Sequence, residues 1–372
     1  MNKKAKSILF RFNMKGVGIV NFDSDGQKWV FKGTNLESKM VRKDKFNQMV
    51  NNHNYSKKVF KKINDELSYK LAISSDCLRH NIFKAETQIQ SPNLLLNEEL
   101  FYSFIASPTQ LLRGYLFTDK TTYKRSTAIY ITPAIQTNDS ISIMETFSRS
   151  GQKNTDNENQ TADNTFFNRE TVGDVEYSSY GAIDLMQAQF ISASQLFDRF
   201  ALNPDKFEKY KTYMGLKMPN FNSELDYFIQ PQSDVMVPEY GFILSNENLV
   251  LLTRMFFKKL RSLSIGKRSA FVNVTSLEYK IVYDPLVDTF YSENDWVSID
   301  TSSDIDKVDF NSEFFYEVTD KDNAKKLLKS VEEAYKIKRD EANKTKEEQR
   351  EKNRAKKEIK KTEQKIDNNG NQ

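Results

Sequence analysis

An α+β fold with large insertions is the architecture the sequence predicts, and three observations point to it. Strand-like and helix-like segments interleave without a regular βαβ rhythm, which disfavours a doubly wound parallel sheet. The chain is 38% hydrophobic and carries 27 Phe, 17 Tyr and 2 Trp among 372 residues, enough apolar surface for a real core. The longest purely apolar runs, Leu94–Leu96 and Leu249–Leu252, are far short of the roughly 20 residues that cross a bilayer. Composition divides the chain into one body over 1–324, with a basic insertion at 23–70 and a polar loop at 148–164, and a basic tail over 325–372.

Along the body, residues 7–22 read as a hairpin, with β-branched and aromatic residues on both sides of Gly16–Gly18. Residues 23–70 are polar and rich in Lys, so they read as an exposed insertion rather than a core layer. Leu95, Leu96, Leu100, Phe101, Phe104 and Ile105 recur at three- and four-residue steps and predict a helix within 92–116. Ser107-Pro108 then reads as a cap with Pro in the first turn of a second, short helix through Leu111 and Leu112. Thr127–Thr132 is a strand stopped by Pro133.

The Ser/Asn/Asp-rich stretch at 148–164 reads as a mobile loop, and Phe166–Ile191 as paired strands. Ser245–Ser264 carries the clearest helical pattern, with Ser245 as cap and Leu249, Leu252, Phe256, Leu260 and Leu263 on one face. Ala270–Tyr283 alternates like a strand. In the tail, Asp322 can cap a helix whose Leu327, Leu328, Val331 and Tyr335 offer a docking face. From Arg339 to Glu358 no large apolar residue remains, so that half is a solvated helix or a disordered arm.

A net charge of +4 conceals a strong asymmetry: +11 over residues 1–135, −13 over 136–324 and +6 over 325–372. A segment so basic in a nearly neutral chain is the footprint of a polyanion binder, or of a surface that mates with the acidic segment of a neighbouring copy. Other chemistry is sparse. A single cysteine, Cys77, excludes an intrachain disulfide, and two histidines, His53 and His80, make a structural zinc improbable. No secretory signal is visible behind Met1–Lys6, so a soluble, intracellular protein is expected. Gly16-Val17-Gly18 lacks the third glycine of a dinucleotide loop, and Gly266–Ser269 lacks the phosphate-loop pattern. Asp174 and Glu176 share one face of a strand but have no third metal ligand, and Cys77 and His80 are a weak nucleophile–base pair. No catalytic residue, metal or cofactor is assigned.

Three clusters combine cations with hydroxyl or aromatic residues: Cys77–Lys84, Leu111–Tyr115 running on to Lys120–Ser126, and Thr165–Arg169. Arg and Lys grip phosphate oxygens, and aromatic rings give faces on which unpaired bases stack. The candidate contacts are Arg79, His80, Arg113, Lys120, Tyr123, Lys124, Arg125, Ser126, Phe166, Phe167 and Arg169.

Taken in order, Cys77-Leu78-Arg79-His80 with Phe83, Leu111–Tyr115, Lys124-Arg125-Ser126, Thr165-Phe166-Phe167, Gly173–Gly181 and Gln189–Ser192 resemble one known family. It is the RNA-coating backbone subunit of type I CRISPR–Cas surveillance complexes (Cascade), nearest the minimal type I-F variant. The resemblance covers roughly residues 75–195 in register and extends weakly to the segments at 16–21 and 245–265. It implies a modified ferredoxin-like (RNA-recognition-motif-like) palm with finger and thumb insertions, the thumb falling on 23–70 in preference to the segment around 145–175. It also implies a non-catalytic protein that polymerises head to tail along a CRISPR RNA, beside other subunits of the complex. Such a filament presents the spacer to target DNA and works in the prokaryotic cytoplasm, away from membranes. Two other readings stand beside it: a metal-dependent ribonuclease like the type III backbone subunits, using Asp174 or Asp119, and an adaptor that binds no nucleic acid and works through its C-terminal helix.

Overall fold

The structure, a computed structural model, describes residues 4–18, 20, 28–32, 37–41, 58–63, 66–84, 97–118, 122–139, 142–149, 165–218, 220–221, 225–229, 238–267, 270–285, 289, 292–312 and 320–369. Strand β1 (Ser7–Val17) lies at its centre. Ile8, Phe10, Phe12 and Met14 are buried and alternate with Arg11, Asn13 and Lys15 on the outer face. Strands β2 (Lys28–Lys32), β3 (Glu37–Val41), β4 (Lys58–Ile63) and β5 (Glu66–Ile73) follow. Three helices come next: α1 (Ser75–Ile82), α2 (Glu98–Ile105) and α3 (Pro108–Arg113). The chain then forms a hairpin of β6 (Tyr115–Thr118) and β7 (Thr122–Arg125), short strands β8 (Ile129–Ile131) and β9 (Ala134–Gln136), and a ribbon of β10 (Ser142–Arg149) and β11 (Thr165–Val172). The long β12 (Asp174–Asp184) leads into α4 (Leu185–Gln189) and β13 (Phe190–Ser192). The remainder runs α5 (Phe207–Lys217), β14 (Asp226–Ile229), β15 (Pro238–Ile243), α6 (Asn246–Arg261), β16 (Ser264–Lys267), β17 (Ala270–Val282), β18 (Val297–Ser298), α7 (Ser302–Asp306) and α8 (Lys321–Asn369).

The main sheet has the order β16-β17-β1-β12-β9-β5-β4-β2-β3, with β8 also on β12 and β18 on β17. β1 is therefore paired along both edges, antiparallel to β12 from Ser7↔Asp184 to Val17↔Asp174 and to β17 from Ser7↔Val282 to Val17↔Phe271. The strand thus runs straight through Gly16, where the hairpin expected at 7–22 had its turn; residues 19, 21 and 22 of the expected return strand lie outside the described residues. Gly16 is not a turn residue; a Cβ there would lie 1.9 Å from the Phe271 carbonyl oxygen, so the glycine serves close strand approach.

Helix α6 covers the inner face of these strands. Ser245 caps it by accepting from the Asn248 N–H at 3.2 Å, and Lys258, Lys259 and Arg261 sit in the last turn, where the helix dipole favours cations. Leu249, Leu252, Phe256, Phe257 and Leu260 are buried, with Phe256 edge-on to Phe10 at 5.2 Å and Phe257 5.5 Å from Tyr279. The helix and the strand at 270–282 form as the sequence predicts.

Other expectations change in detail. The described parts of 23–70, expected as an exposed insertion, are strands paired in sequence with the main sheet, β2 parallel to β4 and β4 antiparallel to β5. The helix expected in 92–116 starts at Glu98, where the Asn97 side chain caps it by accepting from the Leu100 N–H at 3.0 Å; 92–96 fall outside the described residues. Ser107 and Pro108 open α3 as expected. Most of the loop at 148–164 likewise lies outside the described residues. In the tail, Asp320 rather than Asp322 caps α8, accepting from the Asn323 N–H at 3.0 Å, because it sits one position before the first turn. Of the expected docking face, Leu328 is buried and Val331 half-buried, while Leu327 and Tyr335 are exposed.

Candidate nucleic-acid interface

Two short helices position the central cations. Ser74 caps α1 by accepting from the Cys77 N–H at 3.3 Å, and Leu78 and Ile82 anchor one side of that helix in the core. Arg79 is left half-buried and His80 exposed. Ser107 caps α3, whose Leu111 and Leu112 are buried, and Arg113 is its half-buried last residue. The chain then reverses at Gly114, with φ 77° and ψ 174°, a conformation essentially confined to glycine.

A Cβ at Gly114 would also meet the Arg125 carbonyl oxygen at 2.3 Å. Gly114→Ala is expected to cost about 1–3 kcal/mol for the strained backbone alone. Gly173→Ala, at a site with nothing within 4 Å, is the matched control. Thermal melts of the two variants check this, and equal melting temperatures would refute it.

The charge of Arg79 reaches Arg113: burial first, then that charge, holds the Arg113 guanidinium below its ordinary pKa. Arg79 is ion-paired with Asp76, one turn earlier on α1. Among the described residues Arg113 has no acceptor. A partly desolvated guanidinium beside a second one, with donor capacity unfilled, is a place for a phosphate oxygen.

Arg125 has a different task from the phosphate contact expected of it. It is buried, and its guanidinium donates to Leu111 O at 2.9 Å, Phe190 O at 2.8 Å, Gln187 O at 3.0 Å and Ala188 O at 2.9 Å. These carbonyls stand near the C-terminal ends of α3 and α4, where unpaired carbonyls and the helix dipole both favour a cation. Arg125 thus ties α3, which carries Arg113, to α4 and β13. Tyr123 is likewise engaged inside the protein, its half-buried ring stacked on Phe200 at 5.3 Å and tilted against Phe101 at 5.3 Å. That leaves less ring surface for a base than the sequence implied.

Lys124 points the other way along β7 and pairs with Asp198; Ser126 is exposed. Phe166, Phe167 and Arg169 lie on β11, opposite Ser148, Phe147 and Glu145 of β10. Lys120 and Asp119 fall outside the described residues. The structure leaves Arg113 within electrostatic reach of Arg79 and without an acceptor among the described residues, and it assigns Arg125 and Tyr123 to the scaffold.

Sequence reasoning passed over the outer face of the main sheet. Tyr130 and Tyr180 are 54% and 42% exposed there, on β8 and β12. Arg11 stands opposite Tyr180 in the β1–β12 register, with its guanidinium 4.5 Å from the Trp296 ring centre. The signal was present in the alternation of 174–184, which puts Tyr180 on the face opposite the buried Tyr177 and Ser179. Glu176, weighed as a metal ligand, pairs with Lys15 at 2.8 Å, and no group of three metal-capable side chains occurs among the described residues.

Residues 4–304 match the family described as type I-Fv CRISPR-associated protein Cas7fv-like. No curated protein matches the chain. Among solved structures, a chain of a "CRISPR RNA-guided surveillance complex, pre-nicking" is similar at TM-score 0.36 and 6% identity, over 73% of this chain and 77% of that one. A chain of a "CRISPR RNA-guided surveillance complex" is similar at TM-score 0.30 and 10% identity, over 81% of this chain and 97% of that one.

Proposed function

The chain belongs to the type I-Fv Cas7fv-like family and is therefore a guide-RNA-binding backbone subunit of a type I CRISPR complex, and from that premise we propose that it polymerises head to tail along the guide without catalysing a reaction. The observation that carries this reading is the Arg79–Arg113 pair, in which Arg113 has no acceptor among the described residues. Two cations fixed on capped helices hold backbone oxygens at one point per subunit and leave base edges free to pair with target DNA. A subunit that accepts any spacer needs this kind of contact.

The palm reading is supported by chain order. β1, α1, β8, β12, α6 and β17 follow a βαββαβ sequence, and their strands lie in the order β17-β1-β12-β8, antiparallel throughout, as in a ferredoxin-like unit. The β10–β11 ribbon, paired only to itself in the described structure, becomes the better candidate for the thumb than 23–70, whose strands join the main sheet. It carries Phe166, Phe167 and Arg169, which we keep as guide contacts with Arg79, His80, Arg113, Lys120, Lys124 and Ser126. No helix among the described residues is long and apolar enough to cross a membrane, and we place the assembly in the cytoplasm.

Expression with and without a CRISPR array, followed by gel filtration and sequencing of bound RNA, tests the proposal. A large assembly enriched in array transcripts is expected. A nucleic-acid-free monomer in both preparations would overturn polymerisation along the guide.

A further inference from the structure

Helix α8 lies beyond the residues that match the family, so family membership assigns it no role. Its 49 residues make a rod of about 74 Å at about 1.5 Å per residue. Among the described side chains only those of its first turns dock, with Ala324 and Leu328 buried beside β14 and β15. From Glu333 to Glu351 every described side chain is exposed, and Lys336, Lys338, Lys344, Lys346 and Arg350 make no ion pair among the described residues.

The sequence written on this rod is ordered. Arg339, Lys346, Arg350, Arg354, Lys357 and Lys361 follow one another at steps of seven, four, four, three and four, which at about 3.6 residues per turn puts these positions in one line along the axis. Asp340, Glu341, Glu348, Glu351 and Glu358 fall off that line. The other cations, Lys338, Lys344, Lys352, Lys356 and Lys360, share the rest of the helix surface with the acids, but a solvated helix needs only mixed charge and has no need of one line that carries cations and no carboxylate. The row is poorly suited to a protein partner, because no large apolar residue occurs between Arg339 and Glu358 to form the core of an interface. It is well suited to a run of phosphates, which are held by charge alone.

We propose that this row is a second nucleic-acid contact, an arm that binds the phosphate backbone without reading bases and adds to whatever the body of the subunit holds. The arm extends well past the docked turns.

The test uses the full-length chain, stripped of co-purified nucleic acid in high salt, with labelled oligouridine and oligothymidine as probes across a salt series. One variant combines Arg350→Gln, Arg354→Gln, Lys357→Gln and Lys361→Gln on the row. The other combines Lys338→Gln, Lys344→Gln, Lys352→Gln and Lys356→Gln off the row, with the same change in net charge. Circular dichroism confirms that both keep the helix. The row variant is expected to bind both probes roughly tenfold more weakly at moderate salt, with a log–log salt slope smaller by about 3, since each single-strand phosphate contact contributes about 0.7. The off-row variant should leave the slope nearly unchanged. Equal losses in both variants would show that only net charge matters and would overturn the arm, as would no loss in either. The Arg79→Ala/Arg113→Ala variant, run in parallel, separates the sites: weaker binding there with an unaffected row variant sinks the arm alone, and the reverse result sinks the body site alone.

Discussion

Replacing Arg125 with Met is expected to lower the melting temperature by roughly 5 °C, the largest stability loss of any single change argued from this structure. The guanidinium makes four hydrogen bonds of 2.8–3.0 Å to carbonyls of Leu111, Gln187, Ala188 and Phe190. Hydrogen bonds that involve a charged group contribute about 1.5–3 kcal/mol each, and buried acceptors left unpaired add a cost of the same order. Part of this is returned by no longer burying a cation, so a net loss of about 4 kcal/mol is the appropriate scale. At about 2.1 cal/mol/K per residue, that corresponds to a few degrees for a cooperative chain of this length. Arg125→Lys should fall nearly as far, since an ammonium has three donors and cannot span four carbonyls on three segments. A melt of Arg125→Met matching the parent would show that the carbonyl cluster is not held by this side chain.

The double change Arg79→Ala/Arg113→Ala is expected to weaken guide-RNA binding roughly 30-fold while leaving the melt almost unchanged. At about 1 kcal/mol for each phosphate gripped, the pair amounts to about 2 kcal/mol. The log–log salt slope should shrink by about 1.4, or about 0.7 per phosphate. Removal of two like charges, one of which disfavours the other's charged form, costs the fold little, and Arg113 gives up no described acceptor. Filter binding over a salt series reads both quantities. Unchanged affinity and slope would remove these two residues from the interface. Arg125 is deliberately kept out of the combination, because removing it loosens the helix that presents Arg113 and would mimic a weaker grip on RNA.

The contrast between Lys124 and Arg125 shows where sequence reading stops. As a pair of basic residues before Ser126 they look like one phosphate clamp. On β7 they are successive strand residues, so their side chains leave opposite faces, Lys124 toward Asp198 and Arg125 into the core. Strand alternation could have separated them, but a four-residue strand announces itself weakly. The helix at 246–261 and the strand at 270–282 were legible because each keeps one period over many residues. The turn expected at Gly16 is absent for a local reason: a glycine looks the same whether it makes a turn or admits a neighbouring backbone, and only the partner strand tells which. Arg79 and Arg113 were legible residue by residue but not as a pair, since the reach of one charge to the other depends on where the fold places α1 and α3.

The double pairing of β1 sets a schedule for biogenesis. Its first partner ends at Asp184 and its second at Val282, so the first strand to leave the ribosome is among the last to be enclosed. Until β17 has been translated, the hydrogen-bonding edge facing it is open, and an open edge next to Phe10 and Phe12 is a template for pairing between nascent chains. Fragments that stop short of Ala270 should therefore be retained by chaperones or accumulate as aggregates, whereas chains that reach Tyr283 have every strand that β1 needs.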